Sequence, residues 1–341
     1  MVRTEIQHAS SLSLQEIHQR IRRSVAKEQL KDWMTFRPAR MFTDLALGWI
    51  AIAAAFGFVS HWQTWWGYVV AVLVIGAAQY ALFIMGHDAI HYTLHPQREV
   101  NDNVSKWLIH GPMCMGFEDG RRSHLKPHRL LGTAEDPDRY IHRLSDKNSP
   151  LSFLLFCSGL ATFGKTVLKV TPFGKLLESG NKAAVEGVAK PSGVLLVYFR
   201  DRIPAIIAQL ILIGIIMWIG LPSWAYFVLW IAPIYFFVFL PDEIRAFCDH
   251  AVKDIDDDRA DPERLISYHP PLVEALFLAP HNMHFHAEHH LWPSIPYYNL
   301  PRAHAVIKSN PHVTVRGSYL PFLWSLFVSL PLAAKHVRAH V

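Results

Sequence analysis

Histidines are the residues of this 341-residue sequence whose type and spacing point most directly to chemistry. The chain contains 21 of them, and several stand three or four positions apart. On a helix, that spacing places side chains on one face, where two imidazole nitrogens can bind one ion. Neutral imidazole is a good ligand for iron, copper, zinc and nickel. We therefore predict metal ligation at eight positions: His87, His91, His124, His128, His250, His286, His289 and His290.

Three acidic residues adjoin these histidines. Asp88 and Glu288 lie within the first and last groups, and Asp249 directly precedes His250. Metal-bound imidazoles usually donate their second ring N–H to a carboxylate or carbonyl, which fixes the orientation of the ring. The three acids are therefore candidates for this orienting role. The alternative is that they are ordinary solvated acids.

Two long apolar blocks must position these groups. Apolar and aromatic residues make up 51% of the chain, and the blocks 42–86 and 203–240 contain no Lys, Arg or Glu. About 20 apolar residues cross a bilayer as a helix, and each block has a break near its middle. The sequence predicts an all-α integral membrane protein with four transmembrane helices in two hairpins, at about 42–60, 64–86, 203–220 and 223–240.

The basic residues predict the orientation of these hairpins. All 33 Lys and Arg lie outside the two blocks, and cytoplasmic segments carry the Lys/Arg excess. We therefore expect the N-terminal segment 1–40, the loop 87–202 and the chain after residue 240 to form a cytoplasmic helical cap that carries every histidine group. The net charge of +5 suits anionic lipid headgroups. No nucleic-acid-binding motif accompanies it.

The remaining segments are expected to belong to a single domain, 1–341. Residues 14–33 are predicted to be helical and amphipathic, lying either on the membrane or in solvent. Residues 151–170 and the proline-interrupted run 319–334 are predicted to be interfacial, so that 311–341 is an interfacial tail. The 3 cysteines are scattered and imply no disulfide framework. The first apolar run is too long for a cleavable signal peptide.

At the histidine groups the sequence resembles the membrane fatty acid desaturase family. That family carries three histidine boxes of the forms HxxxH, HxxHH and HxxHH. The most specific match is 286–301, HAEHHLWPSIPYYNLP, which includes the family's proline-rich continuation. HDAIH at 87–91 resembles the first box. Segments 121–124 and 132–138 resemble the surroundings of the second box. Segment 245–250 resembles a further family segment, which ends in an acid followed by His.

This resemblance, which extends over roughly residues 42–310, implies a function. It implies a mushroom-shaped protein in which two irons are held mainly by histidine, with His250 as an extra ligand. It also implies O2-dependent removal of two hydrogens from adjacent CH2 groups of a lipid chain held in an apolar tunnel. Two electrons per turnover would come from a separate ferredoxin or cytochrome b5-type donor, because the sequence has no recognisable flavin, Fe–S or cytochrome b5 motif.

The second box departs from the family's pattern. Pro127 occupies the position of its middle histidine, which removes one potential ligand. Proline also disfavours helical geometry at the preceding residue, Lys126. We therefore expect His124 and His128 not to share one helix face, which puts the binding of two irons in doubt.

Three further histidines lie near the boxes. On a helix, His281 and His284 would point away from His286, His289 and His290, so they could bind metal only if residues 280–285 are not helical. We expect a structural role for both. His95 continues the spacing of the first box, and we assign it only a possible orienting role.

Two other functions remain open on these residues. Carotenoid ketolases and hydroxylases and some lipid hydroxylases use similar histidine boxes, and no residue separates them from desaturases. A membrane metal-binding protein or transporter is a different class, but it would place ligands inside the membrane. The acyl carrier, the double-bond position, the redox partner and the oligomeric state are not fixed by the sequence.

Overall fold

The protein is mostly helical in its computed structural model, which describes residues 14–130, 147, 149–164, 171, 194–250 and 265–337. The described helices before the second apolar block are α1 (Leu14–Ser24), α2 (Lys27–Trp33), α3 (Pro38–His61), α4 (Trp65–Ile90), α5 (Arg98–Ser105), a π-helical turn (Lys106–His110), α6 (Phe117–Leu130) and α7 (Pro150–Cys157). Those that follow are α8 (Val194–Asp201), α9 (Ile203–Trp218), two π-helical turns (Phe227–Ile231 and Ile234–Phe239), α10 (Leu240–His250), α11 (Leu272–Leu278), α12 (His286–Leu291), a 3-10 turn (Tyr297–Asn299), α13 (Leu300–Ile307) and α14 (Tyr319–Val337).

The described strands are β1 (Ile266–Tyr268) and β2 (Thr314–Arg316). They pair in parallel, with Ser267 opposite Val315. This pair joins the segment before α12 to the segment after α13.

Helices α3 and α4 form the first hairpin, and the turn between them falls at the predicted break. The Thr64 hydroxyl accepts a hydrogen bond from the backbone N–H of Gly67 at 3.3 Å and so caps the start of α4. Gly48 allows close packing between the two helices, because a Cβ there would lie 2.9 Å from the side chain of Leu82. The hairpin brings the end of α4, with the first histidine box, back to the side on which α3 begins.

The second hairpin runs from α9 to a helical stretch that ends at His250. Its turn contains Gly220 at a φ of 77°, in the left-handed region that glycine adopts without strain. The returning stretch, Phe227–His250, is continuous. Pro233 lies between its two π-helical turns, and proline cannot donate a backbone hydrogen bond. This stretch leads directly from apolar sequence to the predicted ligand His250.

Three helical stretches are long and apolar enough to cross a membrane: Lys27–His61, Trp65–Ile90 and Phe227–His250. Helix α9, at the third predicted span, is apolar but has 16 residues. The helical fold class is therefore confirmed, and helices lie at all four predicted positions. The arrangement as four spans with a cytoplasmic cap stays a prediction.

Polar side chains on the apolar helices hold a non-helical piece of backbone. Gln209 Nε2 donates hydrogen bonds to the carbonyl oxygens of Gly111 and Pro112, at 3.2 and 3.0 Å. Trp230 Nε1 donates to the Pro112 carbonyl at 2.8 Å, and the Tyr226 hydroxyl donates to Gln209 Oε1 at 2.9 Å. Irregular backbone among apolar helices needs such partners, because water is not available to replace them.

The N-terminal helices bury their apolar face against protein, which favours the solvated helix over a helix lying on the membrane. Ile17 and Ile21 of α1 are 0% and 1% exposed. They belong to the same core cluster as Leu291 and Trp292. The chain also leaves helical geometry at Ala26, so that 14–33 forms two helices. These helices cover the segment that carries the third histidine box.

The expectation that prolines interrupt 319–334 is wrong, because α14 continues from Tyr319 to Val337. Pro321 lies in its first turn, where a backbone N–H has no intrahelical partner to lose. Tyr319, Phe322 and Leu326 are buried on one side of the helix. The interfacial position of this tail stays a prediction.

We predict that Gln209→Leu destabilises the protein. The substitution leaves the carbonyls of Gly111 and Pro112 with fewer donors, and a buried unsatisfied polar group costs about 1–3 kcal/mol. Thermal unfolding in detergent should show a lower midpoint for Gln209→Leu than for Gln63→Leu, a control at an exposed turn position. Equal midpoints for the two variants would contradict this account.

Candidate metal centre

Four imidazoles converge where α4, α6 and α12 meet, and we call them the first histidine group. His87 and His91 stand one turn apart at the C-terminal end of α4, His124 lies on α6, and His289 lies on α12. One ring nitrogen of each lies within 4.8 Å of the others. The Nε2 atoms of His91 and His124 are 3.1 Å apart. The first and third predicted boxes and one member of the second therefore meet in space.

Three further imidazoles form a second histidine group. His250 is the last residue of α10, and His286 and His290 stand one turn apart on α12. His286 Nε2 lies 3.0 Å from His250 Nε2 and 2.9 Å from His290 Nε2. All three side chains are buried. The structure thus brings together seven of the eight predicted ligands, in two sets.

Both groups share α12. With about 100° of rotation per residue, His286 and His290 lie on one side of the helix and His289 lies on another. The ring centroids of His286 and His290 are 4.4 Å apart, whereas that of His289 is 5.9 and 5.8 Å from them. The i, i+3, i+4 spacing of the third box therefore supplies imidazoles to two neighbouring groups.

The nitrogen spacing in the second group fits a shared ion better than hydrogen bonds between rings. Each Nε2 carries either one proton or one lone pair, so His286 Nε2 cannot form two well-aligned hydrogen bonds at once. Two nitrogens bound to one ion at about 2.1 Å and at a right angle would lie about 3.0 Å apart. Both groups consist of imidazole alone, a donor set that suits iron, copper, zinc or nickel. The residues present therefore fit the expected iron.

Burial favours the neutral form of two imidazoles in this region, His124 and His110. It is the largest cause that lowers the pKa of His124 well below its usual value, followed by the charges of His91 and Arg245. It also lowers the pKa of His110, which belongs to neither histidine group, to about 4. A neutral imidazole keeps a lone pair for a metal or a hydrogen bond. His110 uses Nδ1 at 2.9 Å from the Ser105 hydroxyl.

The second box is helical despite its proline, contrary to the expectation from Pro127. Helix α6 continues to Leu130. Pro127 removes one backbone hydrogen bond, the one to the carbonyl of Ser123, and the helix continues through it. The backbone therefore places His124 and His128 one turn apart. The side chain of His128 lies outside the described ones.

Two side chains hold the end of α4 beside the second box. Asn101 Nδ2 and Arg121 Nη2 both donate to the carbonyl oxygen of Ala89, at 2.9 and 3.0 Å. Arg121 also forms a salt bridge of 2.6 Å with Asp102. Ala89 lies between His87 and His91, and Arg121 precedes His124 on α6. Arg121 thus links the first two boxes, a role that local spacing did not reveal.

Asp249 and Arg245 support the second group. If Nε2 of His286 faces an ion, its Nδ1 must carry the proton. Asp249 Oδ2 lies 3.5 Å from that atom, and Arg245 Nη1 lies 3.3 Å from it. Arg245 Nη1 donates to the same carboxylate oxygen at 2.7 Å. Both side chains are buried. Asp249 thus lies beside the His286 ring, and its orienting role stays a prediction.

Glu288 lies on the back of α12, facing away from His286 and His290. Its carboxylate accepts a hydrogen bond from the Ser267 hydroxyl at 2.5 Å and faces His304 Nδ1 at 2.7 Å. The orienting role suggested for Glu288 is therefore wrong, because its oxygens bind groups outside the two histidine groups. It anchors the helix instead. Asp88 Oδ2, the third candidate, accepts from the backbone N–H of Tyr297 at 2.8 Å.

The remaining histidines near the boxes lie outside both groups. Residues 280–285 form turns rather than a helix, and His281 has a φ of 53°. The His281 ring packs 4.6 Å from that of Tyr297, and burial lowers the pKa of His284 to about 4. His95 Nδ1 accepts from the backbone N–H of Gln97 at 3.1 Å. These contacts favour structural roles for His281 and His284.

With this geometry in place, comparison with known proteins identifies the class. The model of the fatty acid desaturase family matches residues 63–317, a range that contains every member of both histidine groups. The chain therefore belongs to the fatty acid desaturase family, and the resemblance seen in the boxes is confirmed.

Similar proteins of established name are omega-3 desaturases. An sn-1 acyl-lipid omega-3 desaturase (ferredoxin) of a Nostoc species is 21% identical over 273 residues, covering 76% of this chain and 72% of the relative. An enzyme of the same name from a Synechocystis species is 22% identical, covering 84% of this chain and 78% of the relative. A chloroplastic omega-3 fatty acid desaturase of Glycine max is 30% identical over 96 residues, or 28% of this chain and 20% of the relative.

We predict that Asp249→Asn weakens metal binding by the second group. The substitution removes the charge beside His286 Nδ1 and weakens the partner of Arg245, and loss of a group that orients a ligand typically costs about 10- to 100-fold in metal affinity. Anaerobic Fe(II) titration of the metal-free protein measures the effect, with Glu99→Gln as an exposed carboxylate control. Unchanged affinity in Asp249→Asn would show that other contacts fix this ring.

Proposed function

We propose that this protein is an O2-dependent acyl-lipid desaturase with a histidine-ligated iron centre. The observation that carries the proposal is the meeting of two imidazole groups on α12, in a chain of the fatty acid desaturase family. Desaturation is favoured over hydroxylation because the relatives that match most of the chain are named as desaturases.

In the proposed centre, the protein supplies the ligands and their orientation. His87, His91, His124 and His289 would hold one iron, and His250, His286 and His290 would hold another. His128 remains a candidate eighth ligand. Bound iron would supply the O2 and one-electron chemistry that side chains lack. Asp249 would hold the proton on His286 Nδ1 and so keep Nε2 free for the metal.

The reaction balances with an external electron donor. Two hydrogen atoms leave adjacent CH2 groups, and a C=C bond forms between those carbons. O2 takes up these two hydrogens together with two electrons and two protons, which yields two molecules of water. We propose a ferredoxin as the donor, because both relatives that match most of the chain are named for it. A cytochrome b5-type protein is the alternative.

The arrangement of apolar helices supports a multi-pass protein with its centre on the cytoplasmic side. His87 lies in the last turn of the apolar stretch Trp65–Ile90, His91 directly follows that stretch, and His250 ends the stretch Phe227–His250. The remaining described members of both groups lie on α6 and α12, outside those stretches. A transporter would place ligands near the bilayer midplane, so this arrangement favours an enzyme at the membrane surface.

Helix α11 supports the same placement. Leu272 and Val273 are 84% and 69% exposed, whereas Glu274 is buried and accepts from the backbone N–H of Tyr319 at 2.9 Å. The Tyr80 hydroxyl donates to the Leu278 carbonyl at 2.9 Å, so α11 lies beside the predicted span 64–86. We assign its exposed apolar side to the acyl region of the inner leaflet.

Helix α14 presents a matching apolar side. Leu320, Trp324 and Val328 recur every four residues and are 58%, 66% and 54% exposed. This spacing places them on one face of the helix. Its first residue, Tyr319, binds Glu274 of α11. We propose that α11 and α14 together seat the metal-binding cap on the membrane.

We predict that residue 272 contacts lipid. An environment-sensitive fluorophore attached to Leu272→Cys in lipid nanodiscs should be quenched by doxyl-labelled phospholipid more than by aqueous iodide. Lys31→Cys, on exposed α2, should show the opposite order. Unsubstituted protein, labelled in parallel, gives the background from native cysteines. Preferential quenching of position 272 by iodide would contradict the interfacial assignment.

The proposed activity predicts a new lipid in cells that express the protein. Mass spectrometry should detect acyl chains two mass units lighter than their precursors, and His290→Ala should abolish them because it removes a ligand of the second group. His61→Ala, an exposed histidine at the far end of α3, should leave product formation unchanged. A hydroxylated or keto product would overturn desaturation. Metal binding without any O2-dependent product would overturn the enzyme assignment.

A further inference from the structure

We propose that Arg22 of the N-terminal helix α1 is a positioning residue for the metal centre, acting through the main chain of the third histidine box. Its Nε donates a 2.6 Å hydrogen bond to the carbonyl oxygen of Leu291, and its Nη2 donates at 3.3 Å to that of His290. The inference rests on the proposed function, because it takes His290 as an iron ligand.

The contact lies at the C-terminal end of α12, where backbone carbonyl oxygens need hydrogen-bond donors. The last carbonyls of a helix have no intrahelical donor, and a cation at this end also interacts favourably with the helix dipole. Helix α12 has six residues, too few to be stable as an isolated helix. A two-point contact from one planar guanidinium therefore fixes the end of the helix that carries His290.

Helix α1 is itself held in place, so that Arg22 is a fixed donor. Ile17 and Ile21 pack in the cluster that contains Leu291 and Trp292. The neighbouring α2 places Trp33 edge-on to Trp292, with ring centroids 5.6 Å apart.

Further contacts tie the N-terminal segment to the chain after α12. Asn299 Nδ2 donates to the carbonyl oxygens of Trp33 and Thr35, at 2.7 and 3.1 Å. Arg302 forms a salt bridge with Asp32. The N-terminal helices are thus docked on the segment that carries the third box.

Arg22 and Glu288 hold different parts of α12. Glu288 binds Ser267 and His304 and so resists rotation of α12, whereas Arg22 holds its C-terminal end. The match to the family begins at residue 63. The N-terminal helices therefore lie outside the matched range, and Arg22 is a contribution that the histidine boxes do not contain.

The proposal predicts an asymmetric effect on metal binding. His290 belongs to the second group, whereas three of the four members of the first group lie on α4 and α6. Arg22→Gln should therefore lower the Fe(II) affinity of the second group by about tenfold or more, as is typical for loss of a group that orients ligands. The first group should change less.

The experiment is an anaerobic Fe(II) titration of metal-free full-length protein in lipid nanodiscs, followed by Mössbauer spectroscopy at saturation. Arg23→Gln is the matched control, because Arg23 is an exposed neighbour on the same helix. Arg22→Lys keeps the charge and can donate to one carbonyl, so it should recover part of the affinity. Thermal unfolding of each metal-free variant shows whether the fold itself has changed.

Weaker binding at one of two iron positions in Arg22→Gln, with wild-type binding in Arg23→Gln and similar metal-free unfolding midpoints, supports the proposal. Wild-type affinity in Arg22→Gln overturns it. Equal weakening of both positions together with a lower unfolding midpoint also overturns it, because Arg22 would then be only structural. Failure of the wild-type protein to bind Fe(II) would instead refute the proposed function.

Discussion

The architecture of the centre depends on one geometric constraint, the presentation of three imidazoles to two neighbouring groups by the six residues of α12. His286 and His290 face the second group while His289 faces the first. A rotation of this helix would withdraw ligands from both groups at once. Every element packed against α12 therefore contributes to the geometry of the whole centre, although several of them contribute no ligand.

Buried polar contacts hold the back of α12 and the end of α4 in place. Glu288 holds the back of α12, and Arg121 holds the end of α4 through the Ala89 carbonyl. Arg245 and Asp249 pair beside His286. Buried charges are costly unless they are paired and hydrogen-bonded. Their cost is offset here because Arg121 pairs with Asp102, Arg245 pairs with Asp249, and Glu288 accepts a hydrogen bond from Ser267.

Local spacing was sufficient for part of this arrangement. The apolar blocks and the breaks near residues 60–63 and 220–223 predicted the helical hairpins, and the box spacing predicted that His286, His289 and His290 work together. The prediction that Pro127 interrupts the second box was wrong, because α6 continues through the proline to Leu130. The division of the ligands into two groups, and the contacts of Arg22 and Glu288, were not predictable from periodicity. They join residues far apart in sequence, and only the tertiary fold brings these together.

The separation of Arg22 from His290 by 268 positions has a consequence for biosynthesis. A ribosome makes α1 long before α12, so the apolar side of Ile17 and Ile21 has no native partner while most of the chain is translated. Both imidazole groups are also incomplete until α12 has been made. Docking of α1 against α12 is thus a late step. Iron binding at the proposed centre would wait for that step, and a product terminated before residue 290 would lack part of the second group.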